Sequence, residues 1–461
     1  GLRGDGEMAP TPQDLPSLEV LYSTLVPTLK WCPKAARGEF ARELASLWSR
    51  LSQRPSDVHL YCLHAMFARC ILPAGRGGKG NAYSMARVVR ERLRRWRAGE
   101  AKELWEEALD LTKEKPRRGR PRKQAGEATQ QERNVERATQ LAQDGQYAKA
   151  CQALSSAGMA PDTRASRDAL QAKHPAAAAG PADPAPTTDL PQLSFTQDEV
   201  EKAAKKFRRG SAPGIDGMRT EHIQGALKAA PGRRDRVIES LTSVVNAMAG
   251  GGVPEEVAPF LCSARLFGIA KKDGGVRPIA VGGLLRRLVS RCCAARLQDR
   301  AAALLAPHQL GVGVRGGCEA IVHTVRRALE EDPTLLCLQA DLVNCFNLVD
   351  RQVGLDEVNT HFPEILKWVK TCYGQPSHLM YGSFHISSEC GWHQGDPLAS
   401  LLCCLVLLPL IKKIVVEVPR LKVQAWFLDD GTCVGREDDL AKVVDLLVKE
   451  GPARGLVLST T

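Results

Sequence analysis

Two apolar runs in this chain end in acid, and together they constrain the fold more than any other feature. One is "LLCLQADL", residues 335–342, whose acid is Asp341; the other is "QAWFLDDGTCVG", residues 424–435, which carries Asp429 and Asp430 side by side. The first reads as a buried strand of β-forming residues. In the second, Asp-Gly between hydrophobic flanks is a hairpin signal, which places the turn at the acids. If the two strands neighbour each other in one sheet, three carboxylates converge. Two unit charges about 4 Å apart repel by roughly 4 kcal/mol at an effective dielectric of 20. Such a cluster needs a cation, or carboxyl groups that hold their protons. Magnesium suits it, being hard, oxygen-seeking and usually held by one or two carboxylates plus substrate phosphates. Paired ions of this kind serve in-line phosphoryl transfer. On these residues alone a solvent-facing Asp341 and a plain turn at Asp429-Asp430 remain an equal alternative.

Further elements surround the acids in order. "GIAKKDGGVRPIAV" is expected to be a hairpin turning at Asp273-Gly274-Gly275, with Lys271 and Arg277 on opposite arms. Two cations there suit a triphosphate, arginine as a fork and lysine as a point charge. Helices are expected over 284–305 and from Cys318. "GWHQGDPLASLL", residues 391–402, reads as a glycine turn entering a helix with Pro397 at its first position. "GVGVRG", 311–316, matches a dinucleotide fingerprint formally but follows "LAPHQL", which is no strand, so that reading is rejected.

Taken together these blocks resemble the reverse transcriptase domain of non-LTR retrotransposons, over residues about 205–461. "GSAPGIDGM" (210–218) matches the block entering the fingers and "AKKDGGVRPIAV" the fingers hairpin. "DLVNCFN", "HQGDPL" and "FLDDG" match motifs A, B and C. The resemblance implies an α+β fold with right-hand fingers and palm, an antiparallel sheet backed by helices. It implies RNA-directed DNA synthesis from dNTPs on an RNA template and a DNA primer. Asp341 and Asp429 would ligate two Mg²⁺ (or Mn²⁺) ions, with Asp430 a weaker ligand. Lys271 and Arg277 would hold the triphosphate, Gln394 would line the nucleotide pocket, and Phe346 would exclude a ribose 2′-hydroxyl. RNA-templated RNA polymerases place a polar residue at that last position, so the ring favours DNA synthesis. Cys345 stands where alanine is usual, and Asn347 replaces a frequent acid.

The rest of the chain is read from composition. A net charge of +11 favours a polyanionic partner. Fifteen scattered cysteines without a CxxC pair suggest reduced thiols in an intracellular protein of the nucleus or cytoplasm. Cys62, His64 and Cys70 are expected to pack a helix rather than hold zinc. Residues 398–411, "LASLLCCLVLLPLI", read as a buried helix too short to span a bilayer, so no membrane partner is expected. Residues 1–114 form a mainly helical basic region in which Arg87–Arg97 is expected to be a solvated face. The span 115–191 combines a basic segment, a helical hairpin over 131–158 and a Pro/Ala-rich linker from His174 to Pro191. Within it, Arg118, Gly119, Arg120 and Pro121 resemble an AT-hook, whose arginine enters a narrow A·T minor groove. Fingers are expected over 192–290, opened by a Thr196/Glu199 capping box, and palm over 291–461.

The chain opens at Gly1 and stops early in a segment that resembles motif D, so a fragment without a thumb is expected. Two rivals stand beside the polymerase: a decayed element that only binds nucleic acid, and an intron-type protein with a maturase segment.

Overall fold

The computed structural model describes residues 15–74, 82–113, 130–143, 145, 147–178, 180, 193–271 and 274–459. The AT-hook-like residues Arg118 to Pro121 lie outside them. Among the described residues, seven strands form two sheets, and helices make up most of the remainder.

The larger sheet has the order β2-β1-β4-β5, with β1 Ala264–Ala270, β2 Val276–Gly282, β4 Ser377–Tyr381 and β5 Phe384–Ser388. β1 and β2 form the expected antiparallel hairpin, closed by Lys271 N–H donating to Gly275 at 2.8 Å. The junction of β1 with β4 is parallel, so this sheet is mixed and not wholly antiparallel. A segment assigned to the region between domains completes it: Met159 bridges Ile269, and Ala160 N–H donates to Gly268 at 2.8 Å. β4 covers the first residues of β1 and this segment covers the last ones.

The smaller sheet, β3-β7-β6, is antiparallel throughout, with β3 Leu336–Ala340, β6 Val423–Phe427 and β7 Asp430–Gly435. β3 was expected to be buried. It is instead an edge strand whose Leu336, Cys337 and Gln339 are exposed, because β7 is its sole strand neighbour among the described residues. The β6–β7 turn also differs from expectation. Phe427 pairs with Asp430, so the two-residue loop is Leu428-Asp429, and Gly431 lies inside β7. Gly431 is required there for packing: a Cβ would sit 2.6 Å from the buried ring of Trp426.

Helices Leu284–Leu305 and Gly317–Glu331 fall where the periodicity placed them. The apolar run starting at Leu398 becomes the helix Ala399–Glu417, which continues through Lys412 and Lys413. At 19 residues it is long and apolar enough to cross a membrane by length and composition, contrary to the reading from 398–411 alone. Most of its side chains from Leu401 to Ile411 are buried within the protein. Each large side chain so buried contributes about 1.5–3 kcal/mol.

A continuous core runs from Leu18 to Leu456 and joins the N-terminal helices to the rest. Helix Arg37–Gln53 lies on helix Pro231–Ala249, and the Thr28 hydroxyl donates to the Gly217 carbonyl at 2.7 Å. Cys62, His64 and Cys70 are buried in helix Val58–Ile71 as expected, and all 15 cysteines are free. On the basic helix Ala82–Arg97 most arginines have acidic partners: Arg90 with Glu39, Arg94 with Glu91, Arg95 with Glu100 and Glu107, Arg97 with Glu43. The helical hairpin appears as Gln130–Gln143 and Tyr147–Leu154, sealed by Ala138, Ala150 and Ala153. His174 and Ala177, read as linker, are fastened down instead. The His174 ring is buried against the Leu170 carbonyl, and Ala177 N–H donates to Glu389.

Gly431→Ala should destabilise the chain by about 1–3 kcal/mol through overpacking against Trp426, measured by chemical denaturation.

Candidate active site

The hydrogen-bond register of two strands brings the acids together. Ala340 on β3 faces Gly431 on β7. Asp341 follows the first and Asp430 precedes the second, so they are the next facing positions. Directly opposed residues of an antiparallel pair hold their Cβ atoms about 4.5–5.5 Å apart. Asp429 sits beside them in the Leu428-Asp429 loop.

Both loops that carry the acids are conformationally strained. Among the described residues, Asn344 (φ 49°) and Leu428 (φ 58°) are the only non-glycines with positive φ. A left-handed conformation costs an L-residue about 1–2 kcal/mol. Strain of this kind persists only where the surroundings enforce it, and it concentrates at functional sites. At Asn344 the side chain donates to the Lys173 carbonyl at 2.8 Å and accepts from Asn347 at 2.6 Å. The strand extension beyond Asp341 is held from the other side. Ser459 N–H donates to the Asp341 carbonyl at 2.8 Å, and Leu342 bridges Leu458.

A cleft of about 510 Å³ opens over these loops, lined among others by Lys271, Arg277, Asp341, Phe346, Gln394 and Asp429. Six of the seven residues singled out from sequence in the second half thus share one cavity. Asp430, the seventh, is exposed beside it and is not part of its lining. Lys173, from the segment that completes the larger sheet, also lines the cleft. Sequence reasoning missed it, because nothing local marks a lysine 168 positions before Asp341 as its neighbour.

The electrostatics agree with the convergence. The Asp429 carboxyl is pushed above the ordinary carboxylate range chiefly by burial, with Asp430 and Asp341 adding repulsion and Arg277 opposing them. Asp430, though largely exposed, is raised by the partial burial of its carboxyl and by Asp341. Among the described residues, no three His, Cys, Asp or Glu side chains are gathered closely enough to form a ready chelate. The donor set still suits a hard divalent cation: half-exposed carboxylate oxygens, mutually repelling, in a cavity also lined by Lys271 and Arg277.

The Gln394 loop is set by a buried ionic network. Arg286 donates to the Cys262 carbonyl at 2.6 Å and reaches Asp396 at 3.2 Å, both side chains being 2–3% exposed. The Tyr373 hydroxyl donates to the same carboxylate oxygen at 2.9 Å. His393 faces Arg286 at 2.9 Å, and burial with the nearby Arg286 and Arg351 charges holds its pKa well below the usual range, so it is neutral. Asp396 also accepts from Leu398 N–H, and the helix starts at Ala399, two residues after Pro397. Ala280 N–H donates to the Gln394 carbonyl at 3.0 Å, which ties this loop to β2. Trp392 N–H in turn donates to the Phe346 carbonyl at 2.6 Å.

The model of the family described as reverse transcriptase (RNA-dependent DNA polymerase) matches residues 269–461. The Retrotransposable element SLACS 132 kDa protein of Trypanosoma brucei gambiense is 25% identical over 285 residues, 59% of this chain. Residues 269–461 form a reverse transcriptase domain. The chain spans 23% of the length of that relative. Telomerase structures are more distant. Apo telomerase from Candida tropicalis without its C-terminal domain is 14% identical, covering 57% of this chain and 70% of that one at a TM-score of 0.34. Telomerase from Candida albicans with a fragment of telomeric RNA is 12% identical, covering 45% and 42% at 0.35. The reverse transcriptase domain therefore holds the cavity and all of its sequence-assigned residues, while Lys173 reaches it from outside residues 269–461.

The raised carboxyl groups give a sign for pH dependence. A carboxyl whose folded pKa lies above its unfolded value stabilises the fold at low pH, and this is lost as pH rises through the folded pKa. In metal-free buffer at pH 7, Asp429→Asn should therefore melt above the parent chain. The gap should close below pH about 4, where both side chains are neutral. Adding Mg²⁺ should raise the parent's melting temperature and not that of the variant. Calorimetry across pH checks all three.

Proposed function

We propose that the cleft is the centre of an RNA-directed DNA polymerase of a retroelement, joining dNTPs to a primer 3′-hydroxyl on an RNA template. The single observation that carries this reading is the shared cavity of Asp341, Asp429, Lys271, Arg277, Phe346 and Gln394. In this reading the β1–β2 hairpin belongs to the fingers, and β3-β7-β6 with helix Ala399–Glu417 to the palm.

Asp341 and Asp429 are the residues that would hold divalent cations, Mg²⁺ or Mn²⁺, with Asp430 contributing charge from beside the cleft. When bound, such ions neutralise phosphate charge and lower the pKa of an attacking hydroxyl. The chain's own side chains do the rest by positioning and electrostatics, the main levers in phosphoryl transfer. Lys271 and Arg277 extend from one hairpin toward the acids and hold the triphosphate, Arg277 by a fork and Lys271 as a point charge. Phe346, half-buried against the core, keeps a rigid ring at the sugar position and rejects a 2′-hydroxyl by contact. Gln394, fixed through its carbonyl to β2, faces the base-pair end of the cleft.

Template and primer binding then follows from the positive charge of the chain and should weaken as salt rises. Asp429→Ala should remove divalent-dependent dNTP incorporation by at least about a hundredfold while leaving RNA affinity within about twofold, read by primer extension and filter binding. Incorporation surviving in that variant would sink the assignment. Phe346→Ala should admit ribonucleotides, lowering sugar discrimination by about tenfold or more, and equal discrimination in the variant would remove the ring from this role.

A further inference from the structure

The strained turn before Asp429 is gripped by one buried side chain that the polymerase reading does not use. Gln309 is 0% exposed and lies in the stretch after helix Leu284–Leu305. Its Oε1 accepts from the Leu428 N–H at 2.8 Å and from the Gly311 N–H at 3.0 Å. Its Nε2 donates to the Leu428 carbonyl at 2.9 Å. Only one orientation of the amide satisfies two donors and one acceptor together, and a carboxylate or thioether of similar length lacks the donor. Both peptide groups of the left-handed residue are thereby clamped by one side chain.

The clamp is itself rigidly mounted. Gln309 N–H donates to Leu305 at 3.0 Å, and Gln309 bridges Trp426 in parallel register. Leu310 N–H donates to the Trp426 carbonyl at 2.8 Å, Trp426 N–H to His308 at 2.6 Å. Gly311 permits the close approach, since a Cβ there would lie 2.6 Å from the Leu428 nitrogen. Gly311, the first residue of the rejected dinucleotide fingerprint, thus stands directly against the acidic turn.

We propose that Gln309 is a positioning residue for the acidic turn: its carboxamide holds Leu428 left-handed and so sets where Asp429 projects into the cleft. The inference rests on the reading of the cleft as a divalent-dependent polymerase centre. Gln309 touches neither the cation nor the nucleotide and acts through the Leu428 backbone. Glycine adopts positive φ without a clamp, so Leu428→Gly should make Gln309 less necessary.

The test uses the full chain, with Mn²⁺ binding followed by electron paramagnetic resonance and folding by circular dichroism. Gln309→Met, similar in size and unable to donate to the carbonyl, should weaken Mn²⁺ binding about tenfold. Leu428→Gly in that background should restore affinity to within about threefold of the parent. In primer extension the Gln309→Met variant should lose kcat, with the dNTP KM changed less than about twofold. A folded Gln309→Met variant whose Mn²⁺ affinity stays within about twofold of the parent overturns the proposal. If that variant does not fold, hydrogen exchange of the parent decides. A Leu428 amide protected by about a hundredfold or more supports the clamp, and exchange at the rate of an open turn overturns it. Should the parent chain bind no Mn²⁺, the polymerase reading fails, and the change in Leu428 exchange between parent and variant still judges the clamp on its own.

Discussion

Everything at this site depends on one alignment, Ala340 of β3 opposite Gly431 of β7. A slip of one residue would turn Asp341 to the other face of the sheet and separate it from Asp429 and Asp430. In the observed register the acids repel each other, and Asp429 and Asp430 hold their protons more tightly than ordinary carboxylates. The fold therefore spends stability to gather carboxylates and basic side chains in one cleft. Such a register has to be enforced by contacts stronger than the repulsion it creates.

Those contacts come from several distant parts of the chain. Ser459 and Leu458 secure the strand beyond Asp341, Lys173 secures Asn344, and Gln309 secures Leu428. Arg286, Asp396 and Tyr373 fix the loop of Gln394 in a buried network. Removing one partner of such a network leaves a buried charge uncompensated, which costs about 3–5 kcal/mol. The two loops in which a non-glycine residue has positive φ are where this outside support is concentrated, as expected where a side chain must be aimed rather than merely packed.

Much of the layout was legible from residue patterns. The β1–β2 hairpin, helices Leu284–Leu305 and Gly317–Glu331, and the hairpin of Gln130–Gln143 with Tyr147–Leu154 are local, and their signals lie within each segment. The ordered acids, cations, ring and glutamine pointed to one cleft, and six of those seven side chains line it. Features decided by distant partners were misplaced. Asp430-Gly431 looks like a turn, but pairing with β3 and the ring of Trp426 draw Gly431 into β7 and shift the loop to Leu428-Asp429. The residues of β3 are apolar enough for a core, yet the sheet gives that strand no neighbour on its outer side. The stretch from His174 reads as linker, because its composition says nothing of the Glu389 carboxylate that accepts from Ala177.

The amino-acid sequence alone determined which chemical groups are available and in what order: acids at strand ends, two cations on a hairpin, an aromatic ring five positions after Asp341, a glutamine before a glycine turn. Hydrophobic periodicity and turn residues act over a few positions, so these could be read directly. Only the tertiary structure decided which groups face each other, which backbone positions are held left-handed, that Lys173 lines the cleft and that Gln309 grips Leu428. Strand register joins Ala340 to Gly431 across about ninety positions, the side-chain clamps join residues more than a hundred positions apart, and no local preference encodes such a pairing.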